Sequence, residues 1–206
     1  SDSQVLLLVV KPQDLMALLE QMKSQISPET LLISFVAGKK IATISTALGG
    51  ANPIVRVMPN TPALVGKGAA GYSFNAQVSD HQKGFVIDLL NAAGKAVEVT
   101  EDLQDAITAT SGSGPAYFFA FVEAMVKGAK ELGLSESDAN ELVVQTLIGA
   151  AELLATTGKS ATTLRENVTS PNGTTFAALQ SFAKDDLEKV VARAMKAARD
   201  RSIELS

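Results

Sequence analysis

The chain has 206 residues, 46% of them hydrophobic and 19% charged, enough to bury one sizeable core or two modest ones, so disorder and fibrous structure are excluded. There is no Cys, no Trp and a single His, His81, which rules out a disulfide scaffold, a thiolate zinc site, a cysteine nucleophile and a multi-histidine metal centre. A formal net charge of −4 argues against nucleic-acid or anionic-membrane partners, which need a basic stripe, and leaves small neutral or anionic metabolites open.

No apolar run approaches the roughly 18 residues of a membrane span, and no charged-then-apolar leader precedes a cleavage site. The expectation is a soluble, cytoplasmic protein. At the start, Ser1-Asp2-Ser3-Gln4 leads straight into Val5-Leu6-Leu7-Leu8-Val9-Val10 without an initiator Met. This Val- and Leu-rich run does not alternate, as expected of a strand buried on both faces of a parallel sheet with neighbours on either side. The sequence therefore reads as beginning inside a domain.

Further along, Pro12 stands where a helix can start, and Leu15, Leu18, Leu19, Met22 and Ile26 follow at helical spacing until Ser27-Pro28. Strands are predicted over residues 31–35, 54–58, 69–74 and 96–99. Helices are predicted over residues 41–48, closed by Gly49-Gly50, and 79–93, ended by Gly94. Strand and helix in alternation predict an α/β sheet built with crossovers.

Beyond Thr100 the strand-like runs stop. Thr100-Glu101-Asp102 predicts a helix start, residues 115–132 a long helix ended by Gly133, and Ser135-Glu136-Ser137-Asp138 a cap for a helix running through Leu154, which Gly158 stops. Asp185-Asp186-Leu187-Glu188 repeats the device before a final helix. Residues 1–100 are almost neutral and residues 101–206 carry the acidic excess, which places the domain boundary near Thr100. Apolar side chains run nearly all the way round the helices that begin at Pro115 and Ser135, so part of their burial is expected to come from a second copy of the chain.

The literal G-x-G-x-x-G at Gly66-Lys67-Gly68-Ala69-Ala70-Gly71 follows a proline-bearing loop and leads into strand-like sequence. A dinucleotide fingerprint must instead join a strand to a helix, so this one reads as a turn before a strand. Val9-Val10-Lys11-Pro12, Val36-Ala37-Gly38 and Arg56-Val57-Met58-Pro59-Asn60-Thr61-Pro62 each follow a predicted strand at its carboxyl end, where open α/β sheets bind ligands. Each also has a plain structural reading: a helix-opening proline beside a snorkelling lysine, or a loop stiffened by two prolines.

In the second half, Ser111-Gly112-Ser113-Gly114-Pro115 alone is an ordinary helix junction. The polar segment Asn167-Val168-Thr169-Ser170-Pro171-Asn172-Gly173-Thr174-Thr175 precedes a helical pattern at Phe176. Free amides there could bind a carboxylate, helped by the hydroxyls of Ser170, Thr174 and Thr175; the alternative is a threonine-capped helix. His81, in the polar run Ser79-Asp80-His81-Gln82-Lys83, reads as solvated surface.

Taken together and in this order, Val10-Lys11-Pro12, the Val-Ala-Gly at Val36, Arg56 to Pro62, Ser111 to Tyr117 and Asn167 to Thr175 give the chain a close resemblance to the pyrroline-5-carboxylate reductase family over essentially its whole length. The resemblance implies a Rossmann domain holding NADPH or NADH, N-terminally incomplete here (residues 1–100), and an all-α dimerisation and substrate domain (residues 101–206). The implied reaction is hydride transfer to 1-pyrroline-5-carboxylate, giving L-proline. It implies a homodimer, or a higher assembly of the same chain. The rival readings are another NAD(P)-dependent imine or 2-hydroxy-acid reductase and a non-catalytic helical dimerisation module.

Carried over by position, the resemblance makes Val9, Val10, Lys11 and Pro12, with Phe35, Val36 and Ala37, the cofactor edge. Asn60 stands in the loop next to the nicotinamide, and Asn167 reaches the cofactor from the helical part. Thr175 is implied at the substrate ring nitrogen, as the catalytic residue. Ser170, Gly173 and Thr174 are implied at the substrate carboxylate, and Glu101 near the substrate. The sequence departs from the family at Asn172 and Thr174, where smaller residues are usual. The family's opening strand and its own glycine-rich loop are expected upstream, about two βα units away.

Overall fold

The computed structural model describes residues 3–205; Ser1 and Asp2, which begin the polar lead-in to the apolar run, and Ser206 lie outside the described residues. The chain forms two compact units, one running to Pro115 and taking the chain back from Met195, the other Ala116–Ala194.

In the first unit, β1 (Val5–Leu8), β2 (Leu31–Ser34) and β3 (Ile54–Met58) are parallel neighbours, joined by α1 (Leu15–Met22) and α2 (Ile41–Leu48). The sheet continues with β4 (Gly68–Phe74) and, across α3 (Asp80–Asn91), with β5 (Gly94–Glu98), in the spatial order of the sequence. Alternation along the strands splits the core between the two sheet faces. Leu8, Leu32 and Ile54 pack with Leu15, Leu19 and Ile44 from α1 and α2, while Leu31, Ile33, Val55, Val57 and Tyr72 pack with Val86 and Leu90 from α3. The helix predicted over residues 41–48 ends where Gly49 adopts a φ of 97°, a left-handed turn that glycine enters without strain.

Three expectations need correction. β4 is not a crossover strand: it runs antiparallel to β3, with Arg56 opposite Ser73 and Val57 opposite Tyr72. The connection between them, a single 3₁₀ turn over Thr61–Val65, is shorter than the dozen or so residues a parallel crossover needs. β1 is less buried than expected: among the described residues its one neighbour is β2, and Leu7 is 49% exposed. Finally, α1 begins at Leu15, not at Pro12, with Pro12 lying in the turn that leads to it.

After β5 the chain passes through a 3₁₀ turn (Glu101–Leu103), the short α4 (Gln104–Ile107) and a π-helical turn (Thr108–Gly112) before α5 (Gly114–Glu131). The remaining elements are α6 (Glu136–Thr156), α7 (Ala161–Asn167), α8 (Thr174–Lys184) and α9 (Leu187–Glu204), of which α7 had no counterpart in the sequence reading. Ser135 caps α6 by accepting from the Asp138 amide. Within the second unit the Phe121 and Phe182 rings meet at a 45° tilt with centroids 6.3 Å apart, yet Phe118, Phe119, Leu142 and Ile148 remain exposed on α5 and α6. No helix among the described residues is long and apolar enough to cross a membrane.

Candidate functional site

Because β1, β2 and β3 are parallel and adjacent, the segments that follow them emerge at one sheet edge. The first carries Val9 (72% exposed), Val10, Lys11 and Pro12; the second carries Phe35, the buried Val36 and the exposed Ala37; the third carries Pro59 and Asn60. A cavity of about 600 Å³, lined among others by Leu7, Phe35, Pro59, Asn60, Ala70 and Gly112, adjoins this edge. Its walls are largely apolar, as suits a flat ring, and of the residues expected at the cofactor edge it is lined by Phe35 and Asn60.

Asn60 is fixed by both ends of its amide: Nδ2 donates to the Ser111 carbonyl at 3.0 Å, and Oδ1 accepts from the Ala69 amide at 2.9 Å. The Ser111 carbonyl belongs to the π-helical turn, and α-helical turns widened in this way are frequent at functional sites. The sequence read the Ser111–Pro115 junction as ordinary, since nothing in a residue pattern marks a π turn.

The glycine triad at Gly66, Gly68 and Gly71 is confirmed as turn and strand. Gly66 closes the 3₁₀ turn with a φ of 69°, while Gly68 and Gly71 lie in β4 and no helix follows directly. A Cβ on Gly71 would come within 2.7 Å of two Ile107 methyl and methylene carbons, so this glycine answers to packing. His81 is exposed near the start of α3, as expected.

In the second unit, Asn167 is the exposed last residue of α7, and the chain turns through Ser170 and Asn172 (φ 58°) into α8. Gly173 is the N-cap of α8 and its amide donates to the Ser170 carbonyl at 3.0 Å. No side chain caps this helix, which corrects the threonine-cap alternative, and the first-turn amides at Thr174 and Thr175 follow the exposed Ser170 hydroxyl. Such an end favours a bound anion. Gly173 has no room for a Cβ, which would run into Ser170 Oγ.

Glu101 has partners of its own. Its Oε1 accepts from the Ile41 amide, the first of α2, at 2.6 Å and lies 3.4 Å from the Arg56 guanidinium. Arg56, 5% exposed at its side chain, also lies 3.9 Å from Asp105, which accepts from the Ser202 hydroxyl at 2.6 Å. Gln104, fully buried, donates to Ser73 Oγ at 2.9 Å and so binds α4 to the sheet. Sequence reasoning named Arg56 without giving it a role. An arginine inside the apolar run Ile54-Val55-Arg56-Val57-Met58 was a usable signal, because a charge buried in a strand needs a partner.

A family model described as pyrroline-5-carboxylate reductase dimerisation matches residues 101–205. The pyrroline-5-carboxylate reductase of Pseudomonas aeruginosa is 44% identical over 100% of this chain and 76% of its own length. Pyrroline-5-carboxylate reductase 1 of Bacillus subtilis is 38% identical over 100% of this chain and 69% of its own. Among solved structures, a pyrroline-5-carboxylate reductase from Coxiella burnetii superposes with a TM-score of 0.93 at 38% identity, covering 100% of this chain and 77% of that one. The Plasmodium falciparum pyrroline carboxylate reductase with NADP bound superposes with a TM-score of 0.90 at 35% identity, covering 98% and 77%. A Rossmann-type α/β part followed by helices, matched along its whole length at this identity, places the chain in the pyrroline-5-carboxylate reductase family.

Proposed function

We propose that the intact protein reduces 1-pyrroline-5-carboxylate to L-proline with NADPH or NADH, as a cytoplasmic homodimer. The observation that carries this reading is the α8 start, a glycine-capped helix end with hydroxyls on both sides of it, in a chain whose relatives along its full length bear this activity in their names. We place the boundary between the cofactor-binding and helical domains near Thr100.

The sheet edge at Val9–Pro12 and Phe35–Ala37, with Asn60, would hold the dinucleotide, and Asn167 is assigned to cofactor binding as well. When bound, the dinucleotide supplies the hydride that adds to the ring carbon of the C=N bond. The amides at Thr174 and Thr175 and the Ser170 hydroxyl hold the substrate carboxylate, with Gly173 leaving room for that hydroxyl over the helix start. The Thr175 hydroxyl bonds the ring nitrogen and orients the ring. A protonated imine is already electrophilic, so hydroxyls and helix-end amides suffice and no histidine, cysteine or metal is called for.

The exposed apolar faces of α5 and α6, within the region matched by the dimerisation model, support a dimer. Purified intact protein should oxidise NADPH or NADH when pyrroline-5-carboxylate is added and release proline. Absence of turnover with both nucleotides would refute the reading, and a monomeric mass by light scattering would refute the dimer.

A further inference from the structure

We propose that Glu101 is a positioning residue for the dinucleotide edge and not a contact of the substrate. The inference rests on the reading of that edge as the cofactor site. The Phe35–Ala37 segment is held at one end by β2; at the other it runs through Gly38, Lys39 and Lys40 into α2. Lys40, the N-cap residue of α2, makes no side-chain cap, and its own charge is of the wrong sign to sit at a helix N-terminus.

Glu101 fills that role from 60 residues away. Its carboxylate accepts from the Ile41 amide at 2.6 Å, supplying both the missing acceptor and the negative charge that a helix N-terminus favours. Nothing local fixes a carboxylate there. What fixes it is Arg56 on β3, paired in the sheet with Ser34 of β2, whose side chain lies on the α1 and α2 face and reaches Glu101 at 3.4 Å and Asp105 at 3.9 Å. The buried guanidinium thus ties three elements together: the strand beneath the edge, the helix whose start closes the Phe35–Lys40 loop, and α4 through Asp105. With Oε1 engaged by a backbone amide and an arginine, Glu101 acts on the bound dinucleotide through the loop it holds.

Replacing Glu101 should therefore weaken the dinucleotide and spare the substrate. In the intact protein, Glu101→Gln is expected to raise the dissociation constant for NADPH, read by nucleotide fluorescence without substrate, several-fold. The KM for pyrroline-5-carboxylate and kcat at saturating nucleotide should stay within about twofold of the parent. Should the neutral variant fail to fold, Glu101→Asp keeps the charge beside Arg56 and shortens the reach to Ile41, and it should show the same split. Ser202→Ala, which removes the bond to Asp105 and leaves the Glu101–Ile41 contact alone, should bind nucleotide as the parent does. Unchanged nucleotide affinity in the Glu101 variants, a rise confined to the substrate KM, or equal weakening by Ser202→Ala would each overturn the proposal. Lack of turnover by the parent with pyrroline-5-carboxylate would instead refute the proposed reaction and leave the binding comparison standing.

Discussion

Asn60 and Ser111, 51 residues apart, are joined by a 3.0 Å hydrogen bond from the Asn60 amide to the Ser111 carbonyl. The bond fastens the loop after β3 to the π-helical turn that opens α5. The same side chain accepts from Ala69 at the start of β4, so one residue sets both the path of the Pro59–Pro62 loop and the antiparallel return of the chain. Asn60→Ala leaves a part-buried carbonyl and a part-buried amide without this partner, and should cost about 1–3 kcal/mol of stability in urea unfolding. Asn60→Asp keeps the acceptor for Ala69 but sets a carboxylate oxygen against the Ser111 carbonyl, so it should cost at least as much as the alanine variant.

Gly71→Ala puts a methyl group within 2.7 Å of Ile107 side-chain carbons in a sheet already packed on both faces. Ile107 is β-branched and stiff, so relief must come from a backbone shift, and a loss of about 1–3 kcal/mol is expected. Gly84→Ala, on α3 with open space around it, is the control and should leave the melting temperature unchanged or raise it slightly.

Gly173→Ala carries a different signature. Its φ of −78° suits any residue, so backbone strain plays no part; the added methyl collides with Ser170 Oγ. Turning that hydroxyl away would disturb the carboxylate site and raise the KM for pyrroline-5-carboxylate about tenfold, equivalent to ~1.4 kcal/mol. Nucleotide affinity should not move. Weakened nucleotide binding without a change in substrate KM would contradict this role.

Much of the first unit was legible because its local signals agree. The helix at Ile41–Leu48 with its glycine stop, the strand at Ile54–Met58 and the helix after Ser79 with Gly94 beyond it all follow from spacing and turn chemistry within a few residues. The direction of β4 was not legible from alternation, which is the same for parallel and antiparallel strands; only the short connection distinguishes them. The partners of Arg56 were hidden because Glu101 and Asp105 lie 45 and 49 positions further on, and pairings of that kind are made by the fold. At the candidate site, the glycine-led start of α8 could be read from Gly173 and the pattern at Phe176, whereas the absence of a side-chain cap is a matter of rotamers.

Tyr72 offers a test of core geometry through pH. Burial, and then the charge of Glu98, raise its phenol above the ordinary value near 10. A group whose pKa is raised by folding contributes fully to stability below its unfolded pKa and loses that contribution as pH climbs through the folded value. Alkaline spectrophotometric titration should therefore show a phenol ionising above 10 that disappears in Tyr72→Phe, and the variant's stability should fall less steeply above pH 10. A Tyr72 ionising at or below the ordinary value would contradict its placement in the sheet.

In the reaction we propose, the Thr175 hydroxyl at the start of α8 meets the imine nitrogen of the substrate. Its most direct measurement is kcat/KM for pyrroline-5-carboxylate, at saturating nucleotide, in Thr175→Ala beside Thr175→Ser. Loss of one such hydrogen bond predicts a drop of about tenfold or more in the alanine variant, with most of the efficiency retained by serine. Equal efficiency in the alanine variant and the parent would contradict that role for Thr175.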